Sequence, residues 1–154
     1  MIYVSAHLSF YRYYHPQLPF LSSKTVTLRE ACQNPLLLWA IANASARSSP
    51  LHQDLRNRLV WPLRRLAIES TIKSLPSLVL IQALLLLCVW TPPYASLPDD
   101  PSWMLCGLAT HQAMQIGLHR TGFDHEFLLN EKIGGEVVET RRKTWLACFV
   151  VNQR

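Results

Sequence analysis

Residues 102–120 read SWMLCGLATHQAMQIGLHR and residues 136–154 read EVVETRRKTWLACFVVNQR, and these two helical patterns decide the fold class. Before the first pattern, Asp100-Pro101 places a capping residue ahead of a proline, an order that is typical of a helix start. The second pattern follows Gly134-Gly135, and its first turn is acidic, as the helix dipole prefers. Neither pattern contains a catalytic device or a metal-ligand cluster.

Apolar residues at helical spacing predict further helices upstream. We expect them at about residues 4–14 and 35–47, after Ser49-Pro50, and in the apolar run 75–90. Pro62 should kink the third helix or split it in two, because proline removes a helical hydrogen bond. The sequence shows no strong strand alternation and no hairpin dipeptide flanked by strands. The pattern therefore predicts an all-α fold of about six helices.

The composition favours a folded chain that needs a covering partner. The 154 residues suit one domain, and a hydrophobic fraction of 49% excludes a disordered chain. The charged fraction of 16% is below the roughly 25% of soluble domains. We expect the apolar surface to meet a partner, further protein that packs against it, or a membrane. The run 75–90 is shorter than the roughly 18–20 residues of a membrane span and is interrupted by Gln82, so we interpret it as a core helix.

The net charge of +5 does not predict nucleic-acid binding. A nucleic-acid reader groups its basic residues on one face. Here they are dispersed and interleaved with acids, which favours solvated helix faces. The basic residues are Arg47, Arg56, Arg58, Arg64, Arg65, Arg120 and Arg141 to Lys143, and the acids among them are Asp54, Glu69, Glu136 and Glu139.

The four cysteines lie far apart in sequence and form no CxxC pair, so we expect no zinc site in this chain. Three of them occupy apolar helical runs, where a thiol behaves as a small hydrophobe. A reduced, intracellular setting fits this pattern. The four are Cys32, Cys88, Cys106 and Cys148.

The remaining candidate residues predict structural roles. His111 and His119 have no nearby carboxylate or thiolate partner, so we interpret them as helix-face or helix-end residues. Glu136 and Glu139 share the first turn of a helix and have no nucleophile beside them. The sequence predicts no enzyme and no catalytic, cofactor-binding or metal-binding residue in this chain.

The tryptophans are expected in the core, as large aromatic residues in apolar runs usually are. Trp145 should anchor the last helix against the two preceding ones, with Leu146 and Phe149 beside it. The full set is Trp39, Trp61, Trp90, Trp103 and Trp145.

Four motifs, in order, resemble the middle homology region of fungal zinc-cluster transcription factors. They are YHPQLPFL at residues 14–21, IQALLLLCVW at 81–90, the helix from Trp103 to Gly117-Leu118-His119-Arg120, and ETRRKTW at 139–145. The first two look most like the branch that includes leucine-pathway and protease-gene regulators. The motif residues, to which the resemblance assigns structural roles, are His15, Pro16, Gln82, Trp90, Trp103, Gly117, His119, Arg120, Glu139, Arg141, Arg142 and Trp145.

The resemblance implies that residues 1–154 are a partial, all-α regulatory domain of an RNA polymerase II transcription factor that acts in the nucleus. Such domains are expected to respond to a small-molecule effector, to a second copy of the chain or to a protein co-regulator. In the family, a six-cysteine cluster binds two zinc ions and contacts DNA. The chain lacks that cluster, so zinc and DNA contact are expected only through a separate domain.

Two further expectations concern the chain as a whole. The last helix carries no glycine or proline stop signal, so we expect a fragment or truncated gene product with unfinished apolar faces. Such faces should drive self-association or aggregation. The alternatives from other classes are a small membrane-associated helical protein that uses the run 75–90, and a helical ligand binder.

Overall fold

The structure is a computed structural model that describes residues 2–21, 33–48, 53–120, 122 and 134–153. Within these ranges it contains six α-helices and no strand, which confirms the predicted all-α fold. Short 3-10 turns at His15–Gln17, Ala46–Ser48 and Leu97–Asp99 join some of them. The helices are α1 (Ile2–Tyr13), α2 (Pro35–Ser45), α3 (Gln53–Lys73), α4 (Leu78–Val89), α5 (Ser102–Gln115) and α6 (Gly135–Asn152).

Helix α4 lies at the centre of the core and is buried from Leu80 to Cys88. It begins where Ser77 accepts a hydrogen bond from the Leu80 N–H at 3.2 Å, an N-cap that satisfies one free backbone donor. Because α4 is apolar all round, it needs neighbours on several sides. Helices α2, α3, α5 and α6 all pack against it.

The membrane alternative depended on this same apolar run. Helix α4 has 12 residues, which corresponds to a length of about 18 Å at 1.5 Å per residue. The hydrocarbon core of a bilayer is about 30 Å thick. Among the helices that the structure describes, none is both long and apolar enough to cross a membrane.

Helix α3 is continuous through Pro62, so the expected split into two helices is wrong. The proline is exposed, and its ring lies away from the core. On the opposite side Val60, Leu63 and Ala67 are buried before and after it. Packing of both halves against the core compensates for the single hydrogen bond that proline removes.

The chain leaves α5 through a left-handed residue. Gly117 has φ 75°, its N–H bonds to the Met114 carbonyl at 3.0 Å, and the Leu118 N–H bonds to the Ala113 carbonyl at 2.9 Å. These two bonds define a Schellman motif, which satisfies carbonyls at a helix end. Glycine is favoured at this position because it adopts positive φ without steric cost.

The starts of α5 and α6 lie where the sequence predicts them. The Asp100 carboxylate accepts from the Ser102 N–H at 2.9 Å, as the Asp100-Pro101 pair predicts. Helix α6 begins after Gly134, also as predicted, and buries Thr144, Ala147 and Cys148 among its inward residues.

Candidate functional site

The motif residues meet around the side chain of Gln82 in α4. Gln82 is only 4% exposed. Its Nε2 donates to the Phe20 carbonyl at 3.2 Å and to the Thr144 Oγ1 at 3.0 Å. Thr144 is completely buried, and its hydroxyl donates in turn to the Thr140 carbonyl at 2.9 Å. One buried amide therefore joins the first, second and fourth motifs.

Arg141 provides a second link, between α6 and the end of α5. Its guanidinium donates to the Ile116 carbonyl at 2.8 Å, and the residue is 4% exposed. Carbonyls at a helix C-terminus lack intrahelical partners and attract a cation. The expectation that Arg141 lies on a solvated helix face is wrong. It stands three residues before Thr144, so helical geometry places both on the buried side of α6.

The other two basic residues of this motif lie on a solvated helix face, as expected. Arg142 and Lys143 are exposed. Lys143 forms an ion pair with Glu139 at 3.4 Å, and the i, i+4 spacing with the acid first is the favourable orientation.

The first motif forms a turn that is closed by His15. Its Nε2 lies 2.6 Å from the Leu21 carbonyl oxygen, a contact that requires the proton on Nε2. Pro16 is exposed in the 3-10 turn that follows α1. The turn brings Phe20 and Leu21 into the core, where both are buried. His15 therefore closes the turn that brings the Phe20 carbonyl to Gln82.

Trp90 is a core residue, as predicted, and is 5% exposed. Its ring packs edge-on against Phe10 and Tyr14, with centroids 5.7 Å apart in both pairs. The buried amide of Asn43 donates to the Trp90 carbonyl at 2.6 Å. Through these contacts with Trp90, α1 and α2 pack against the end of α4.

The third and fourth motifs meet again at His119 and Trp145, whose ring centroids are 6.0 Å apart. Trp145 is partly buried and packs against the core cluster. His119 and Arg120 are exposed in the turn after α5. His111 instead contacts the Gly107 carbonyl of its own helix, with Nδ1 at 2.8 Å.

Several apolar side chains point outward, contrary to expectation. Trp103 is 87% exposed and Trp61 is 62% exposed. Leu146 and Phe149, which are expected beside Trp145 in the core, are exposed as well. Apolar residues occur all round α5 and the second half of α6, so their sequence does not reveal which side faces the core. Trp39 is only partly buried, against the core cluster.

A cavity of about 250 Å³ opens where the end of α4, the start of α5 and the end of α6 meet. Its lining is mostly apolar, with two thiols and one amide. The lining residues are Cys88, Ser102, Trp103, Cys106, Gly107, Val151 and Asn152.

The thiols at and near this junction are held in the protonated form by burial. Burial raises the pKa of Cys88 and Cys106 and raises the pKa of Cys148 to about 12. Metal ligation and nucleophilic attack both require the thiolate. These residues do not fit the zinc cluster that the resemblance assigns to the parent family. The described part of the chain also contains no group of three or more potential metal ligands. Cys32 lies outside the described residues.

Comparisons with known proteins support the family resemblance of the four motifs. The fungal specific transcription factor domain matches residues 8–152. The chain is 34% identical to the putative transcription factor SEF1 of Eremothecium gossypii, over 96% of the chain and 14% of that protein. It is 35% identical to the transcriptional regulatory protein SEF1 of Candida albicans, over 96% and 16%. It is 30% identical to the regulatory protein LEU3 of Saccharomyces cerevisiae, over 91% and 17%.

The chain therefore spans about a seventh of the length of the curated relatives that it matches. No solved structure matches it.

Proposed function

Because this chain belongs to the family of the fungal specific transcription factor domain, we propose that it is a partial regulatory domain of a longer transcription factor. The relatives are named as transcription factors or regulatory proteins. On this proposal the parent protein acts in the nucleus on RNA polymerase II genes. A different domain of the parent supplies zinc and DNA contact, and residues 1–154 modulate its output without enzymatic activity.

The observation that carries the proposal is the junction at Gln82. The hydrogen bonds of its side-chain amide link a turn near residue 20, helix α4 and helix α6. These are three of the four segments that carry the motifs. The motif residues thus maintain the relative positions of helices. Coupled helix positions are what a regulatory domain needs, because a ligand or partner that shifts one helix then affects the others.

A reporter experiment tests this function. The 154-residue chain is inserted between a heterologous DNA-binding domain and an activation domain, and reporter output is compared with an unrelated helical insert of similar length. We expect the chain to change output several-fold and Gln82→Leu to reverse much of that change. Arg142→Gln, at an exposed motif position, serves as the matched control. Equal output from the chain and the unrelated insert, at equal protein level, would contradict the proposal.

A further inference from the structure

The cavity between the end of α4, the start of α5 and the end of α6 is large enough for a small organic molecule. Its volume is about 250 Å³. Because an apolar cavity of about 150 Å³ holds benzene, this one suits by proportion a ligand of about ten non-hydrogen atoms. The cavity is partly open to solvent. A molecule can therefore enter it without separating the helices of the core.

Gly107 lies in the middle of α5 and lines this cavity. Glycine inside a helix is destabilising relative to alanine, so its presence usually has a packing or functional reason. Apart from its own helix backbone and chain neighbours, a Cβ added at Gly107 would meet no described atom within 4 Å. Close packing of the described residues therefore does not require this glycine. The missing side chain instead leaves cavity volume open.

The thiols of the lining favour an uncharged ligand. Cys88 and Cys106 both line the cavity, and burial raises the pKa of both thiols. A protonated thiol behaves as a small hydrophobe. The desolvation that opposes a thiolate here would also oppose a carboxylate or an ammonium group on a ligand.

Asn152 supplies one directional polar group. Its Nδ2 donates to the Thr110 Oγ1 at 2.7 Å and to the Cys148 carbonyl at 2.8 Å. These bonds use both hydrogens of the amide, so the group that it offers to a ligand is the Oδ1 acceptor. They also hold the amide in a fixed orientation between α5 and α6. A ligand with one hydrogen-bond donor matches this arrangement.

Trp103 supplies an aromatic surface at the mouth of the cavity. It belongs to the lining, although it is 87% exposed. Indole rings pack favourably against other rings in offset or edge-to-face arrangements. A ring that projects from the cavity would cover part of this exposed indole.

We propose that this cavity binds a small, uncharged, ring-containing molecule that carries one hydroxyl group. The ring fills the apolar space and packs on Trp103, and the hydroxyl donates to the Asn152 Oδ1. Small-molecule sites usually combine an apolar lining with a few placed polar groups in this way.

The position of the cavity connects binding to helix positions. The ligand would contact α4 and α6, the two helices that the Gln82–Thr144 hydrogen bond also joins. Binding would thus bias the position of α6 relative to α4. A role for this molecule as the effector rests on the proposed regulatory function, whereas its binding does not.

Titration of three probes into the 154-residue chain at neutral pH tests the site. The probes are para-ethylphenol, ethylbenzene, which lacks the hydroxyl, and phenylacetate, which carries a charge. The readouts are Tm and the NMR signal of the Trp103 indole N–H, assigned through Trp103→Phe. We expect both to change saturably with para-ethylphenol. Ethylbenzene should bind roughly two- to tenfold more weakly, as for the loss of one neutral hydrogen bond. Phenylacetate should give no response beyond that of sodium chloride at equal ionic strength.

Gly107→Leu tests the location of the site. The added side chain occupies space that the described residues leave open, so the variant should keep the wild-type Tm or exceed it and should lose the probe response. Gly135→Leu is the matched control. A Cβ added at Gly135 also meets no described atom within 4 Å, but this residue lies at the opposite end of α6 from the cavity. The control should respond as the wild type does.

Trp103→Ala is a second variant, and its ring lies mainly in solvent, so folding should not depend on it. It should weaken para-ethylphenol several-fold in the Tm readout. A wild-type response in both Gly107→Leu and Trp103→Ala would overturn the proposal. So would equal binding of phenylacetate and para-ethylphenol, or no saturable response to either neutral probe. None of these results bears on the reporter experiment, which requires no added ligand.

Discussion

The side-chain amide of Gln82 lies 3.0 Å from the hydroxyl oxygen of Thr144, and this hydrogen bond joins residues that are 62 positions apart. Both side chains are buried, and both lie inside motifs recognised in the sequence. Because a buried polar group needs a partner, the two residues should depend on each other energetically.

Gln82→Leu should lower the free energy of unfolding by about 1–3 kcal/mol, since it leaves buried acceptors at Phe20 and Thr144 without their donor. Thr144→Val removes one acceptor and should cost roughly 1 kcal/mol. We expect the double variant to be more stable than the sum of the two losses predicts. Urea denaturation of the four proteins measures this coupling. Simple additivity would show that the hydrogen bond contributes nothing to stability.

Arg141→Gln should lower the free energy of unfolding by about 1.5–3 kcal/mol, because the Ile116 carbonyl loses its charged donor. Arg142→Gln, the same change one residue further along, should stay within about 0.5 kcal/mol of the wild type. Chemical denaturation compares the pair. Equal losses at the two positions would mean that Arg141 is not buried at the end of α5.

Trp90→Ala should cost roughly 3–5 kcal/mol, since it empties the space between Phe10 and Tyr14. Trp103→Ala should change stability by no more than about 0.5 kcal/mol, because that ring lies mainly in solvent. Thermal unfolding provides the comparison. A large loss with Trp103→Ala would place this ring in an interface that forms in solution.

Stability should decrease at alkaline pH because of the buried thiols. Burial raises the pKa of Cys148 from 9.0 to about 12. The folded state disfavours the thiolate, so this contribution to stability is complete below the unfolded pKa and is lost as the pH rises toward the folded one. We expect the free energy of unfolding to fall between about pH 9 and pH 12.

Cys148→Ala should make this pH dependence shallower. A residual slope should remain, since burial also raises the pKa of Tyr11 and Tyr94 to about 12. Denaturation at a series of pH values measures both slopes. An unchanged slope in the variant would mean that the Cys148 thiol ionises freely in the folded chain.

The outward apolar residues of α6 should cause self-association of the 154-residue chain. Leu146 and Phe149 are 60% and 61% exposed, and exposed apolar patches promote association. Phe149→Glu should reduce the apparent mass at micromolar concentration, whereas Gln115→Glu, which adds the same charge at an exposed position of α5, should not. Light scattering measures the mass. A monomeric wild-type chain would remove the basis for this expectation.

The helices could be predicted from the sequence because their boundaries depend on local chemistry. Asp100 before a proline and Gly134 before an acidic turn marked the starts of α5 and α6, and the structure agrees. The site could be predicted only in part. Arg141 and Arg142 are identical residues side by side, and only the tertiary packing of α6 decides which one is buried.

Gln82 did carry a signal in the sequence. It is the one amide side chain inside the apolar run 75–90, and a buried amide must find hydrogen-bond partners. That observation predicts a bonded role, but it cannot identify the partners, which come from segments about 62 residues away on either side.

The shared amide of Gln82 has a consequence for local opening of the fold. The hydrogen bonds to Phe20 and to Thr144 both use the same nitrogen, Nε2. If either segment separates from α4, the Gln82 amide loses one of its two acceptors in a buried environment. The remaining hydrogen bond to the other segment is then weaker. Backbone amides near residue 20 and those in the middle of α6 should therefore exchange with deuterium as one cooperative unit, although they belong to opposite ends of the chain.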